Sequence, residues 1–229
     1  MERSQPGRGR RAGSGSAANQ ACTAAISVAV VFVGTHPFQA ELRRFYSDLV
    51  SAESRWFSVL GQYSSGPLSG QVDDVISRDG LGDLDPGQFV GQALLARPRH
   101  PNAATYVALH LGSDVSYDAG GCALHFSARV DNQTVVRVGV VPFASASTCV
   151  RGLDALASVQ QASAHELAEA ITNGVDGESA WSSHGFEAAD LCNGQTESVV
   201  VHGTEHTLHR IWSNCDTACV VASECATRS

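Results

Sequence analysis

The chain has 229 residues, 43% of them hydrophobic, which is enough apolar material for one sizeable domain. Its formal charge of −8, from 15 basic and 23 acidic residues, excludes nucleic acid as an expected partner, because phosphate binding needs a basic surface. No apolar stretch is long enough to make a convincing membrane span.

Residues 1–21 are rich in Arg, Gly and Ser and are expected to form a disordered N-terminal segment, with 22–229 a single domain. The run 24–34 reads as a buried strand, since Ile26, Val28, Val30, Val31, Phe32 and Val33 are β-branched or aromatic. A signal-peptide core is the competing reading of that run. Pro37 then opens a helix. Phe38, Leu42, Phe45, Leu49, Ala52, Trp56 and Leu60 follow at steps of three and four, predicting one amphipathic helix. Residues 61–87 are rich in Gly, Ser and Asp, with a short strand or turn near 72–76. Asp85-Pro86 starts a second helix that runs to about residue 97.

Strands are predicted over 106–111, 122–130 and 134–141, the last two joined by the turn Asp131-Asn132-Gln133. A long helix spans 153–171 and ends at Thr172-Asn173-Gly174, because Asn and Gly are favoured past a helix terminus. A hairpin of 197–201 and 207–212 turns around Gly203. Mixed strands and helices imply an α/β (α+β) layered domain with a mixed sheet.

The seven cysteines form no C-x-x-C pair, so disulfides are favoured over a zinc ribbon. An odd count leaves one thiol over within a monomer, and Cys22 is the expected one.

The chemistry concentrates in His165-Glu166-Leu167-Ala168-Glu169 and Phe186-Glu187-Ala188-Ala189-Asp190. Residues i and i+4 share a helix face, so His165 and Glu169 are spaced to grip one metal ion. The zinc-peptidase pattern H-E-x-x-H uses that geometry, with its middle Glu as general base. Here Glu169 stands where the second His would, keeping an oxygen ligand that Zn²⁺ accepts. A third ligand is expected from Glu187, 18 residues beyond Glu169, with Asp190 orienting His165. The swap of those two roles stays open. Glu166 is the expected general base, acting on water that the metal activates. With two carboxylate ligands the site also suits manganese or iron. His125, on a predicted strand, faces the site if that strand is the edge lying over the helix of a zincin-like sheet. His184 is a further candidate in the loop before Glu187, and His202, His206 and His209 belong to the late hairpin.

With these residues assembled, the chain resembles the exordium (phosphate-induced protein) family of plant extracellular proteins and its bacterial relatives. The likeness runs from about residue 24 to 212. It is carried by Ala164-His165-Glu166-Leu167-Ala168-Glu169-Ala170-Ile171-Thr172-Asn173, by Ala180-Trp181, and by Glu187-Ala188-Ala189-Asp190-Leu191-Cys192. Weaker matches are Cys122-Ala-Leu-His125 and Ile211-Trp212-Ser213-Asn214. In that family the segment matching 24–34 opens the mature domain, which favours the strand reading. Asn173-Gly174 departs from the Pro or Asp-Pro that many relatives carry, and the secretion signal of those relatives is not evident. The resemblance implies a secreted protein with disulfides, tied in plants to cell-wall growth. It also implies Cys122–Cys149, and Cys192 joined to Cys215 or Cys219.

Two functions follow. One is a secreted zinc-dependent, peptidase-like hydrolase with Glu166 and His125 as catalytic residues, acting on a peptide or cell-wall substrate. The other is an extracellular binding or signalling protein in which a divalent metal on His165, Glu169, Glu187 and Asp190 only holds the fold together.

Overall fold

The computed structural model describes residues 25–63, 68–95, 104–131, 134–173 and 186–224. Five strands form one sheet: β1 (Ala25–Val33), β2 (Ser69–Arg78), β3 (Ala104–Leu111), β4 (Leu124–Arg129) and β5 (Val135–Pro142). Their order is β2-β1-β3-β5-β4. The first four in that order run parallel, and β4 lies antiparallel to β5 at the edge. The domain is therefore mixed α/β.

Alternation along the central strands builds two cores, one on each face. Ile26, Val28, Val30 and Phe32 of β1 face one layer, together with Tyr106, Ala108 and Val141. Ala29, Val31 and Val33 face the other, with Val107, Leu109, Val136, Val138 and Val140. Burial on both faces is why 24–34 reads as an almost unbroken apolar run rather than a strict alternation. The helices α1 (Gln39–Leu49), α2 (Arg55–Leu60) and α5 (Ala155–Thr172) cover the first face. Phe89 and Val90 of α3 (Pro86–Leu95) cover the second. A single turn, α4 (Phe143–Ala146), joins β5 to the segment before α5.

The helix expected from Pro37 to Leu60 is two helices. Ser51 Oγ donates to Asp48 O at 2.7 Å where α1 ends, and Ser54 Oγ accepts from Phe57 N–H at 3.2 Å to cap α2. The apolar repeat survives the break because Leu42, Phe45, Leu49, Trp56 and Leu60 all enter the same core. Ala52 falls in the break and is exposed. The late hairpin differs too. β6 (Thr196–Val201) pairs with β7 (Thr204–His209), but β8 (Ile211–Ser213) turns away to pair with β9 (Ala218–Val220). The chain is redirected at Arg210, whose N–H bonds Gln195 O at 3.0 Å, and at Trp212, whose N–H bonds Ala188 O at 3.0 Å. The turn at Asn132-Gln133 lies outside the described residues, as do Cys22 and residues 1–21.

Disulfides join Cys122 to Cys149 and Cys192 to Cys219. Cys215 is disulfide-bonded as well. Among the described residues no helix is long and apolar enough to cross a membrane. The second bridge pins the turn after Asp190 onto β9 across a sequence separation of 27 residues. Loop-closure entropy for a loop of that size predicts that the double variant Cys192→Ser/Cys219→Ser loses about 3–4 kcal/mol. Chemical denaturation under non-reducing conditions checks this.

Beneath the sheet's end lies a buried ring cluster of Phe32, His36, His110 and Tyr46, with the half-buried Phe143 against it. His36 Nε2 and His110 Nδ1 have no hydrogen-bond partner there. Burial lowers the His36 pKa to about 4 and pushes that of His110 down as well. An unfolded histidine, near 6.5, binds a proton that these rings refuse, so the contribution is complete above pH 6.5 and is lost as pH falls toward 4. Denaturation midpoints of wild type and His36→Gln, measured between pH 7 and 4, should converge as pH falls. The wild type should lose at most about 3 kcal/mol more than the variant.

Candidate metal centre

The site is built on α5. Asp154 caps its start, accepting from Ala157 N–H at 2.8 Å. The helix is buried on nearly every side, with the sheet on one flank and the β6–β7 hairpin on the other. Its polar residues are therefore tied individually. Ser158 Oγ donates to Ala146 O at 2.6 Å, and Gln160 Oε1 accepts from Thr207 N–H at 3.0 Å. Gln160 Nε2 also meets His206 Nδ1 at 3.3 Å, and His206 Nε2 lies 2.8 Å from Asp48 Oδ2. Gln161 holds His209 Nδ1, whose ring packs edge-on against His165 with centroids 4.7 Å apart. His209 Nε2 donates to Ala189 O at 3.0 Å and so ties the helix to the turn that carries Asp190.

At the carboxyl end of α5 two groups of side chains meet on Glu169. On one side, His165 Nε2 lies 3.0 Å from Glu169 Oε1 and 3.7 Å from Asp190 Oδ1. On the other, His125 Nδ1 lies 3.2 Å from Glu166 Oε2 and 3.2 Å from Glu169 Oε2. Within each group the candidate ligand atoms are all within 4.8 Å of one another. Glu187 sits beside the second group: its Oε1 accepts from Asn173 Nδ2 at 2.7 Å, and its Oε2 lies 3.7 Å from His125 Nε2. Thus Asp190 keeps company with His165, and Glu187 with His125 and Asn173.

Packing leaves little freedom here. Glu169 is 3% and Glu166 5% exposed. Gly139 of β5 lies under Glu166, and a Cβ there would collide with the Tyr106 hydroxyl and come within 3.1 Å of Glu166 Cβ. The Gly139→Ala variant should lose about 1–3 kcal/mol through this overpacking. Its thermal unfolding, compared with that of Gly91→Ala, whose added Cβ meets nothing closer than 3.9 Å, measures the effect.

The electrostatics follow from crowding. Burial raises the Glu166 pKa, and the histidines offset this only in part. Burial also works against charge on Glu169, but the His125 and His165 imidazoles outweigh it and hold its carboxyl low. Burial opposes charge on both histidines, and the carboxylates around them raise both pKa values. Asn173 Nδ2 lies 3.0 Å from His125 Nε2 and donates to Glu187 Oε1, which sets the way its amide faces.

The residues present fit a divalent cation. Glu169 Oε1 is buried and has no hydrogen-bond partner, although His165 Nε2 is 3.0 Å away; the two atoms converge without aligning. Ligands bonded to one tetrahedral ion at 2.0–2.2 Å have tips roughly 3.3–3.6 Å apart. Imidazole with two carboxylates is a donor set for Zn²⁺, Mn²⁺ or Fe²⁺. A cavity of about 240 Å³ opens alongside, lined by His125, Phe126, Arg137, Asn173 and Glu187 among others. That volume lies below the usual range of a small-molecule pocket, about 300–1,000 Å³.

The structure brings His125, His165, Glu166, Glu169, Glu187 and Asp190 together at one end of α5. His184 lies outside the described residues, as do Trp181 and Gly174. His202 pairs with Glu53 at 3.3 Å on the surface, and His206 belongs to the buried Asp48 contact. Sequence reasoning treated Asn173 only as a helix end, yet it continues the 165–169 stripe at i+4 and i+8. His209, in contact with His165, carries no such signal because its approach is tertiary.

No family model matches the chain, and no curated protein matches it. A solved structure described as "Structure of a chaperone-substrate complex" is similar over 61% of this chain and 23% of that chain, at 12% identity and a TM-score of 0.30. A likeness that slight carries no argument about fold or function.

Proposed function

We propose that the chain is a secreted, zinc-dependent hydrolase of peptide substrates, with a zincin-like site and a kinship to exordium-type extracellular proteins. The observation that carries this is the pairing of a buried Glu166 with His125, immediately beside the His165–Glu169–Asp190 group. A divalent ion bound by that group would polarise a carbonyl and lower the pKa of water from 15.7 to about 7. His165, Glu169 and Asp190 are the assigned ligands, which takes the swap of roles left open between Glu187 and Asp190. Glu166 takes the proton from attacking water and delivers it to the leaving amine. His125 Nδ1–H holds the Glu166 carboxylate in place, and Asn173 with Glu187 fixes that imidazole.

The fold supports the assignment. β4 is an antiparallel edge strand that packs beside α5 and carries His125, which is the support for a zincin-like reading. Among the described residues β4 pairs on one side only, and a strand edge next to the site offers backbone groups to an extended peptide, which favours peptides over small esters. Disulfides are the reason for placing the protein in an oxidising, extracellular compartment.

One observation favours a non-catalytic reading. Carboxylates crowd the ligand group, and their charge reduces the Lewis acidity of any ion held there. In that case the ion serves to clamp α5 to the Asp190 turn. The Glu166→Gln variant separates the two. It should keep its ion at His165 and lose peptide hydrolysis by about 10²–10⁴-fold against a mixed peptide library followed by mass spectrometry. Full activity in the metal-loaded variant would remove Glu166 from the mechanism. A wild type carrying one zinc per chain that cleaves nothing, yet melts lower after chelation, would establish the clamp.

A further inference from the structure

We infer that the centre accepts two divalent cations, with the Glu169 carboxylate shared between them. This rests on the metal-site reading above and extends it to the regulation of the same site. The two oxygens of Glu169 face opposite ways: Oε1 toward His165 and Asp190, and Oε2 toward His125 and Glu166. The second position is formed by His125 Nδ1, Glu166 Oε2 and Glu169 Oε2, whose mutual approaches match those of the first. Two-metal sites hold their ions about 3.5–4 Å apart.

Burial of the carboxylates supports a second cation. Glu166, Glu169, Glu187 and Asp190 bring four carboxyl groups to one end of α5, and Glu166 and Glu169 are almost wholly buried. Without metal, His125 and His165 are the rings that face them; a ligating imidazole is neutral, so each ion takes over from the ring it binds as the positive partner. A cation on His125 Nδ1 moves the ring proton to Nε2. There it faces the Glu187 carboxylate, 3.7 Å away.

Filling the second position takes the Glu166 carboxylate away from water. The same metal that supports hydrolysis at low concentration therefore suppresses it at higher concentration.

The test is stoichiometry. Chelator-stripped full-length protein is dialysed against rising Zn²⁺ and bound metal is measured by atomic emission, with Mn²⁺ loading followed by electron paramagnetic resonance. Wild type should bind two ions per chain, and two Mn²⁺ should show the spin-coupled spectrum of a carboxylate-bridged pair. His125→Ala should bind one ion and show only an isolated Mn²⁺ signal. Glu166→Gln, which preserves shape at that position, should do the same if His125→Ala fails to fold. Wild type saturating at one ion, or variants retaining a coupled pair, overturns this inference and leaves the hydrolase reading intact. No bound ion at all overturns both.

Discussion

The centre depends on a buried helix end crowded with charge. Glu166 and Glu169 are almost wholly buried, and His125 and His165 touch them within 3.2 Å. Carboxylates removed from water are costly unless positive charge compensates them closely. The remainder of the architecture holds the compensating groups in place. The edge strand β4 brings His125 from one side, and the turn after Phe186 brings Asp190 from the other. Neither would reach Glu169 if α5 were displaced by one turn, about 5.4 Å.

α5 keeps its position because it is fixed from two directions. The sheet supplies a surface where Gly139 permits close approach, so that Glu166 rests on β5 without an intervening side chain. The hairpin supplies directional bonds instead, through Gln160 to Thr207 and His206 and through Gln161 to His209. Apolar packing alone tolerates sliding, whereas these side-chain amides specify register. Trp56 Nε1–H extends the fixation by donating to His209 O at 2.8 Å, linking α2 to the same strand.

Much of this was legible in the sequence, for reasons of local physics. The strands over 24–34 and 134–141 announce themselves by β-branched residues, and the 153–171 helix by its length and its terminal Asn173. The 165–169 spacing put the key pair on one face before any tertiary contact was known. What was not legible depends on contacts distant in sequence or on capping that competes with periodicity. The break between α1 and α2 hides because both helices feed one core, so the apolar rhythm runs on through Ser54. The partition of Glu187 and Asp190 hides because both lie on one short turn. Only the placement of His125 and Asn173 on one side, and His165 on the other, separates them.

The replacement of a second histidine by Glu169 has a consequence beyond altering a ligand list. A ligating imidazole offers one nitrogen to a metal and turns its other toward a fixing partner. A carboxylate offers two oxygens, each able to accept from or bind to a different neighbour. At position 169 this means one residue of α5 can serve the His165 side and the His125 side together, which its two 3.0–3.2 Å approaches express. The same exchange adds negative charge where a neutral ring would have stood, and so raises the demand for cations at this helix end. On the proposed hydrolase reading, Glu166 is both the group that moves the proton and a ligand of the second ion, so the two roles compete for a single carboxylate.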